Sequence, residues 1–221
     1  MNLNNHSIIS PNLSTYNKFN PKLRVAILAS GEGTNFQSIV DLSRNNTLDV
    51  EIMILITDNE NSGCIKRANK YKIPFKVLKS TNNIDKKLFE EKIVQILREK
   101  NIELVVMAGW MKIISPYFVN SYQNRIINIH PSILPSYKGL NAIKTALNNG
   151  SKITGCTVHY VVPEVDSGKI IIQAALEIKD SDSLESLSKR IHELEHKILP
   201  YAISEAGLYI RDNFMGKSTK G

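Results

Sequence analysis

Short segments rich in hydrophobic residues recur along much of the chain, and segments with helical spacing separate them. The first run, residues 23–30, ends in a glycine-rich turn, as expected of a strand that is buried on both faces. Comparable runs follow at residues 50–57, 75–78, 103–108 and 125–130. Amphipathic helices are predicted between them, at residues 36–43, 62–72 and 84–100. The alternation predicts an α/β fold with a mostly parallel open sheet and helices on both faces.

The pattern changes after Gly150. Residues 157–162 and 169–177 have strand character and are joined by Pro-Glu-Val-Asp-Ser-Gly, which predicts an antiparallel hairpin at the edge of the sheet. A long helix is predicted from about Leu184 to Glu205, with Asp182 as its N-cap. Pro200 is expected to kink or interrupt this helix.

The two ends of the chain show no hydrophobic period. Residues 1–22 are polar, with six asparagines and two prolines, and predict a disordered extension before a single domain at residues 23–210. Residues 211–221 are expected to form a flexible tail. The first segment lacks the apolar stretch of a secretory signal. We therefore expect a cytoplasmic protein, with organelle import through residues 1–22 as the alternative.

Composition and charge narrow the class of protein. The chain has 221 residues, 42% of them hydrophobic, and lacks an apolar run long enough to span a membrane. Its two cysteines lie far apart in sequence, which argues against a disulfide framework and a cysteine-rich zinc site. The net charge of +7 is typical of nucleic-acid binding, but the two ends carry five of the seven excess charges. Because the central region is nearly neutral, we expect the partners to be small molecules and expect no binding to nucleic acid or to a membrane.

The turn after the first predicted strand has the sequence Ser-Gly-Glu-Gly-Thr-Asn, at residues 30–35. Its glycines allow a tight turn, and the free N–H groups at the start of the next helix can bind an anion such as phosphate. The turn matches neither the dinucleotide fingerprint nor the P-loop, so no nucleotide cofactor is implied. The alternative is an ordinary strand–helix turn that Thr34 or Asn35 caps.

Asn128 and His130 end a buried strand and share one face of it. The carboxyl ends of parallel strands hold the ligands of open α/β sheets. An amide and an imidazole there can polarise a carbonyl and stabilise the oxyanion that forms when it is attacked. The alternative is a histidine that only caps the strand end. Asp166 is a typical turn residue and joins this chemistry only if the hairpin folds over His130.

Residues 192–196 read His-Glu-Leu-Glu-His, which matches the H-E-x-x-H zinc pattern. Glu195 within the pattern and Lys197 after it are charged, whereas the helices of metalloproteases are usually apolar there. Few residues follow that could supply a third ligand. We therefore predict no metal, and a helix face from which one acidic side chain reaches a site.

Four motifs in this order resemble one family. They are S-G-x-G-T-N at 30–35, A-G-W-M-K-I-I-S-P at 108–116, I-N-I-H-P-S-I-L-P at 127–135 and V-D-S-G at 165–168. The chain resembles the folate-dependent formyltransferases of purine biosynthesis, the glycinamide ribonucleotide transformylases, over about residues 23–207. The resemblance implies a Rossmann-like fold and 10-formyltetrahydrofolate as co-substrate, without a metal. It also implies formyl transfer to the amine of glycinamide ribonucleotide, in a monomer or weak homodimer.

The resemblance also implies roles for individual residues. Asn128 and His130 would hold the oxyanion, and Asp166 would pair with His130 and help to move the proton of the amine. Ribonucleotide binding would involve Gly33, Thr34 and Asn35 at the phosphate and Glu195 at the glycinamide end. Folate binding would involve Lys86, Met111, Lys112, Ile113, Ile114 and Asn128, together with the loop at 162–166. Lys86 and Lys112 replace arginines of some relatives and lose the bidentate grip of arginine on a carboxylate.

Other functions are open at this point. Formyltetrahydrofolate deformylase and methionyl-tRNA formyltransferase share the N-x-H pattern and a distant aspartate. The first carries an additional N-terminal domain and the second a C-terminal barrel, and residues 1–22 and 207–221 are too short for either. A basic nucleic-acid-binding α/β module and a zinc hydrolase are the alternatives from other classes.

Overall fold

The computed structural model describes residues 7–79 and 85–215. The strands are β1 (Ile8–Ser10), β2 (Leu23–Leu28), β3 (Val50–Thr57), β4 (Phe75–Val77), β5 (Leu104–Met107), β6 (Ile126–His130), β7 (Ile153–Tyr160) and β8 (Ile170–Glu177). The helices are α1 (Thr34–Arg44), α2 (Gly63–Tyr71), α3 (Lys86–Glu99), α4 (Pro116–Ser121), α5 (Ala142–Asn148) and α6 (Leu184–Ile210), and a π-helical turn follows at Arg211–Met215. In the described part of the chain, no helix is long and apolar enough to cross a membrane.

All eight strands belong to one sheet, in the order β1-β8-β7-β6-β5-β2-β3-β4. The strands from β6 to β4 are parallel, while β7, β8 and β1 add an antiparallel edge. This confirms the predicted fold class and the antiparallel hairpin. The chain runs outward from β2 to β4 and then returns to the other side of β2 through β5. The strand order therefore reverses between β2 and β5, and such a reversal opens a crevice at the carboxyl ends of the strands.

Strand β2 shows why the sheet is buried on both faces. Val25, Ile27 and Ala29 belong to the apolar cluster on one side, whereas Ala26 and Leu28 belong to the cluster on the other. Helices α1 and α6 contribute to the first cluster, and α3 and α4 contribute to the second. A continuous apolar run is thus what a central strand between two helix layers requires.

The long helix α6 differs from its prediction at both ends. Ser183 is its N-cap, and the Ser183 and Ser186 side chains each accept a hydrogen bond from the other residue's backbone N–H. Asp182, the predicted cap, instead accepts hydrogen bonds from Arg190 and from the Ser186 hydroxyl. The helix also continues through Pro200 to Ile210, because the residues around Pro200 are buried and their packing outweighs the lost backbone hydrogen bond.

The sequence predicted a disordered extension at residues 1–22, but the described residues of this segment contact the rest of the chain. Residues 1–6 lie outside the described residues. Strand β1 pairs with the edge strand β8, with Ile8 opposite Ala175. The Asn17 side chain donates to the carboxylate of Glu205, and the Phe19 ring is 9% exposed. The sequence pattern could not predict these contacts, because each one joins the segment to residues that are distant in the chain.

The C-terminal end is also partly ordered. Arg211 donates to the Glu103 carboxylate and to the carbonyl of Pro21, at 3.0 Å each. These contacts attach the turn at 211–215 to the N-terminal segment and to the start of β5. Residues 216–221, the rest of the predicted tail, lie outside the described residues.

Candidate active site

A cavity of about 1020 Å³ opens at the carboxyl ends of β2, β5 and β6. Its walls come from the loop after β2, the segment after β5, the end of β6 and the loop between β7 and β8. All of the predicted site residues line it: Gly33, Thr34, Asn35, Lys86, Met111, Lys112, Ile113, Ile114, Asn128, His130, Asp166 and Glu195. The reversal in strand order therefore brings together residues that lie up to 162 positions apart in sequence.

His130 and Asp166 lie side by side on the floor of the cavity. His130 is 5% exposed, and its Nδ1 lies 3.3 Å from Oδ2 of Asp166. Its Nε2 donates to the carbonyl of Tyr137 at 2.8 Å. The two ring nitrogens thus face a carboxylate on one side and a backbone carbonyl on the other. The hairpin does fold over His130, which was the condition for Asp166 to take part.

Asp166 is held as an anion. Burial raises its pKa, but hydrogen bonds from His159 and the Gly139 N–H, and the charges of His130 and His159, lower the pKa below its ordinary value. The Gly139 N–H donates to Oδ2 at 2.8 Å. The carboxylate therefore lies between two imidazoles, those of His130 and His159.

His159 is a site residue that the sequence analysis missed. It lies on β7 directly opposite Asn128, with its Nε2 3.3 Å from the Asn128 amide nitrogen and 3.5 Å from Oδ1 of Asp166. Its Nδ1 donates to the Tyr160 carbonyl at 2.8 Å. In sequence, His159 lies within an ordinary strand pattern. Only the antiparallel register of β6 and β7 reveals that it faces Asn128.

The loop at residues 31–35 lines the cavity and leads into α1. Gly33 is the N-cap of α1, in the left-handed region with φ 73°, and no side chain caps the helix. A Cβ atom on Gly33 would lie 2.6 Å from Cβ of Cys64, so the backbone passes too close to α2 for any other residue. Neither Thr34 nor Asn35 caps the helix with its side chain. The first N–H groups of α1 can therefore bind an anion.

Glu195 closes the cavity behind this loop. Its side chain is 4% exposed and accepts a hydrogen bond from Nδ2 of Asn35 at 2.7 Å. Burial raises the pKa of Glu195 to about 7, against a smaller lowering by the Asn35 hydrogen bond. Oδ1 of Asn35 is buried without a hydrogen-bond partner. A cationic or N–H-bearing group entering here would find the unsatisfied Oδ1 of Asn35 beside the Glu195 carboxyl group.

The segment Met111–Ile114 forms the opposite wall. Met111 and Ile113 are 63% and 65% exposed at the mouth, and the Met111 N–H donates to Oγ of Ser30. Lys112 pairs with Asp58 at 3.3 Å. The lysine therefore already has a carboxylate partner within the protein, an arrangement that the sequence did not predict. Lys86, the first residue of α3, lies at the rim.

The H-E-x-x-H pattern lies within α6. His192 lines the cavity beside Glu195, while Nε2 of His196 is buried without a partner. Across residues 7–79 and 85–215, no group of three or more His, Cys, Asp or Glu side chains is arranged to hold a metal ion. The pattern thus supplies one acidic side chain to the cavity from a helix that packs against α1.

Comparison with known proteins identifies the family. The formyl transferase profile matches residues 23–203, which is most of the described chain. The chain belongs to the formyl transferase family. It is 38% identical to phosphoribosylglycinamide formyltransferase of Bacillus subtilis, over 82% of this chain and 93% of that protein.

It is also 38% identical to the trifunctional purine biosynthetic protein adenosine-3 of Gallus gallus, over 82% of this chain. The chain spans only 18% of the length of that relative. Among solved structures it resembles phosphoribosylglycinamide formyltransferase of Bacillus halodurans, with a TM-score of 0.80, 40% identity, and coverage of 82% and 94% of the two chains. Glycinamide ribonucleotide transformylase 1 of Symbiobacterium toebii gives a TM-score of 0.82 at 33% identity, covering 90% of this chain and 94% of that one.

Proposed function

We propose that this formyl transferase moves the formyl group of 10-formyltetrahydrofolate to the amine of glycinamide ribonucleotide, in purine biosynthesis. The products are formylglycinamide ribonucleotide and tetrahydrofolate. The observation that carries the proposal is the position of Asn128, His130 and Asp166. They meet on the floor of one cavity, between an anion-binding helix start on one side and the Met111–Ile114 wall on the other.

The chemistry assigned to these residues follows from their contacts. The substrate amine attacks the formyl carbon, and the carbonyl oxygen gains negative charge. Asn128 supplies an amide donor for this oxyanion, and the His130 imidazole beside it stabilises the developing charge. Asp166 orients His130. As an anion, it would also help to move the proton that the amine must lose.

The two ends of the cavity fit the two substrates. The N–H groups at residues 33–35 would bind the phosphate of the ribonucleotide. Glu195 would contact the glycinamide end, since an amine beside this carboxylate favours its ionised form. The folate would lie against Met111–Ile114 and Asn128, with Lys86 at the rim. The Lys112–Asp58 pair makes Lys112 a weaker candidate for a folate carboxylate than its position in the sequence suggests.

The proposal includes formyl-folate as co-substrate without a metal, a cytoplasmic location, and a monomer or weak homodimer. Two buried free thiols, Cys64 and Cys156, support a reducing compartment. Light scattering of the purified protein over a concentration series would distinguish the two oligomeric states.

The deciding experiment mixes the protein with glycinamide ribonucleotide and 10-formyltetrahydrofolate and follows tetrahydrofolate. We expect turnover only when both substrates are present, with formylglycinamide ribonucleotide formed in equal amount. Tetrahydrofolate and formate released without the ribonucleotide would instead identify a deformylase. Asp166→Asn serves as the inactive variant. Asp180→Asn, which changes an exposed partner of Lys152, serves as its matched control.

A further inference from the structure

The tripeptide Tyr137–Gly139 contacts both members of the His130–Asp166 pair through its backbone. The Tyr137 carbonyl accepts the Nε2–H of His130, and the Gly139 N–H donates to Oδ2 of Asp166, both at 2.8 Å. These contacts lie on either side of a single residue, Lys138. Its backbone position therefore fixes the orientation of the imidazole and the placement of the carboxylate together.

The side chain of Lys138 reaches the loop that carries Asp166. Its Nζ donates to Oγ of Ser167 at 2.7 Å and lies 3.7 Å from the Glu164 carboxylate. The Ser167 hydroxyl in turn donates to the carbonyl of Val165 at 2.9 Å. The chain of contacts from Lys138 through Ser167 to Val165 thus spans the backbone on both sides of Asp166.

Both loops have backbone conformations that need external support. Tyr137 and Asp166 lie in the left-handed region, with φ of 56° and 49°, and neither is glycine. Residues with a Cβ atom occupy this region at a cost, and they keep it where surrounding contacts determine it. The contact between Lys138 and Ser167 joins these two segments directly.

Of the two Lys138 contacts, the hydrogen bond to Ser167 contributes more to joining the two loops. Glu164 is 77% exposed on its side chain and its carboxylate is 3.7 Å away, so this ion pair is screened by water and adds little. A charged donor at 2.7 Å from a hydroxyl is a short, charge-assisted hydrogen bond.

We propose that Lys138 is a positioning residue for formyl transfer, which ties the 137–139 loop to the Asp166 loop and so sets the geometry of the His130–Asp166 pair. The inference rests on the proposed function. Lys138 touches no reacting atom. Its contribution is to keep the Gly139 N–H on the Asp166 carboxylate and the Tyr137 carbonyl on the imidazole.

The kinetic test compares Lys138→Ala with the wild type and with Lys144→Ala, an exposed lysine on α5. Because small displacements of catalytic groups lower rates strongly, we expect kcat to fall about tenfold in Lys138→Ala while both KM values change less than about twofold. Lys138→Arg keeps a charged donor and should recover most of the rate. Lys144→Ala should match the wild type.

A double-mutant cycle identifies the contact. Ser167→Ala should reproduce the loss in Lys138→Ala, and the two changes together should cost no more than either alone. If the decreases in kcat instead multiplied in the double variant, the two residues would act independently and the proposal would be wrong. Wild-type kcat in Lys138→Ala, or a rise in KM alone, would also contradict it.

Hydrogen exchange of the Gly139 amide tests the same idea without turnover. In the wild type this amide donates to Asp166 and should therefore exchange slowly. We expect its exchange to quicken about tenfold in Lys138→Ala and to be restored in Lys138→Arg. Unchanged exchange would overturn the inference. If the wild type formed no tetrahydrofolate, the proposed function would fail, and the exchange experiment would still decide the role of Lys138.

Discussion

Replacing Glu195 by glutamine is expected to stabilise the free protein above pH 7, although Glu195 lies in the substrate site. The carboxyl group is almost completely buried, and its one described hydrogen bond comes from Nδ2 of Asn35. Ionising it leaves a charge that one neutral amide must compensate. Glutamine carries no charge, and its own NH₂ group can donate to the unpartnered Oδ1 of Asn35.

The size of the effect follows from the pKa of Glu195. Burial raises this pKa from 4.5 to about 7. Each unit of difference between folded and unfolded states corresponds to about 1.4 kcal/mol, so the full effect is about 3 kcal/mol. The folded state keeps the proton that the unfolded state has lost. The free energy of unfolding therefore decreases as the pH rises from 4.5 to 7, and the contribution is constant above that.

Urea denaturation of the wild type and Glu195→Gln, at half-unit steps between pH 4.5 and 8, would measure this. Other groups titrate alike in both proteins, so the difference in the free energy of unfolding isolates Glu195. The free energy of unfolding of the variant should exceed that of the wild type by an amount that increases up to pH 7 and stays constant above it. Parallel curves across the range would refute an ionisable, buried Glu195. A difference that increases as the pH falls would show that the pKa of Glu195 is not raised by folding.

Other predictions concern single residues. Asp166→Asn should lower kcat by about 10²–10⁴ with little change in melting temperature, measured against Asp180→Asn; an equal kcat in the two would contradict the catalytic role. Gly33→Ala places a Cβ against Cys64 in a left-handed position, and should cost about 1–2 kcal/mol in urea denaturation and raise the KM of the ribonucleotide. Phe19→Ala should cost about 3 kcal/mol, and a wild-type midpoint would contradict the ordered N-terminal segment.

Much of the fold could be predicted because its signals are local. A run such as Leu23–Leu28 places alternate side chains in two separate apolar clusters, and no long-range information is needed to see that both faces are buried. The turn at 30–35 and the strand end at 128–130 also follow from neighbouring residues. The meeting of these segments at one cavity then follows from the rule for parallel sheets.

The features that escaped prediction depend on contacts between distant segments. Strand β1 has only three residues, and its pairing with β8 joins parts of the chain more than 160 positions apart. His159 faces Asn128 because β6 and β7 pair in one particular register. A shift of that register by one residue would turn its side chain to the other face of the sheet.

The net charge of the chain does not indicate where an anion binds. At residues 33–35 the groups offered to an anion belong to the backbone, so they add nothing to the formal charge. Lys112, by contrast, adds a positive charge to the composition while Asp58 already neutralises it in the structure. Substitutions that change surface charge should therefore have little effect on phosphate binding. A change that moves the backbone, such as Gly33→Ala, should weaken phosphate binding without altering the charge of the protein.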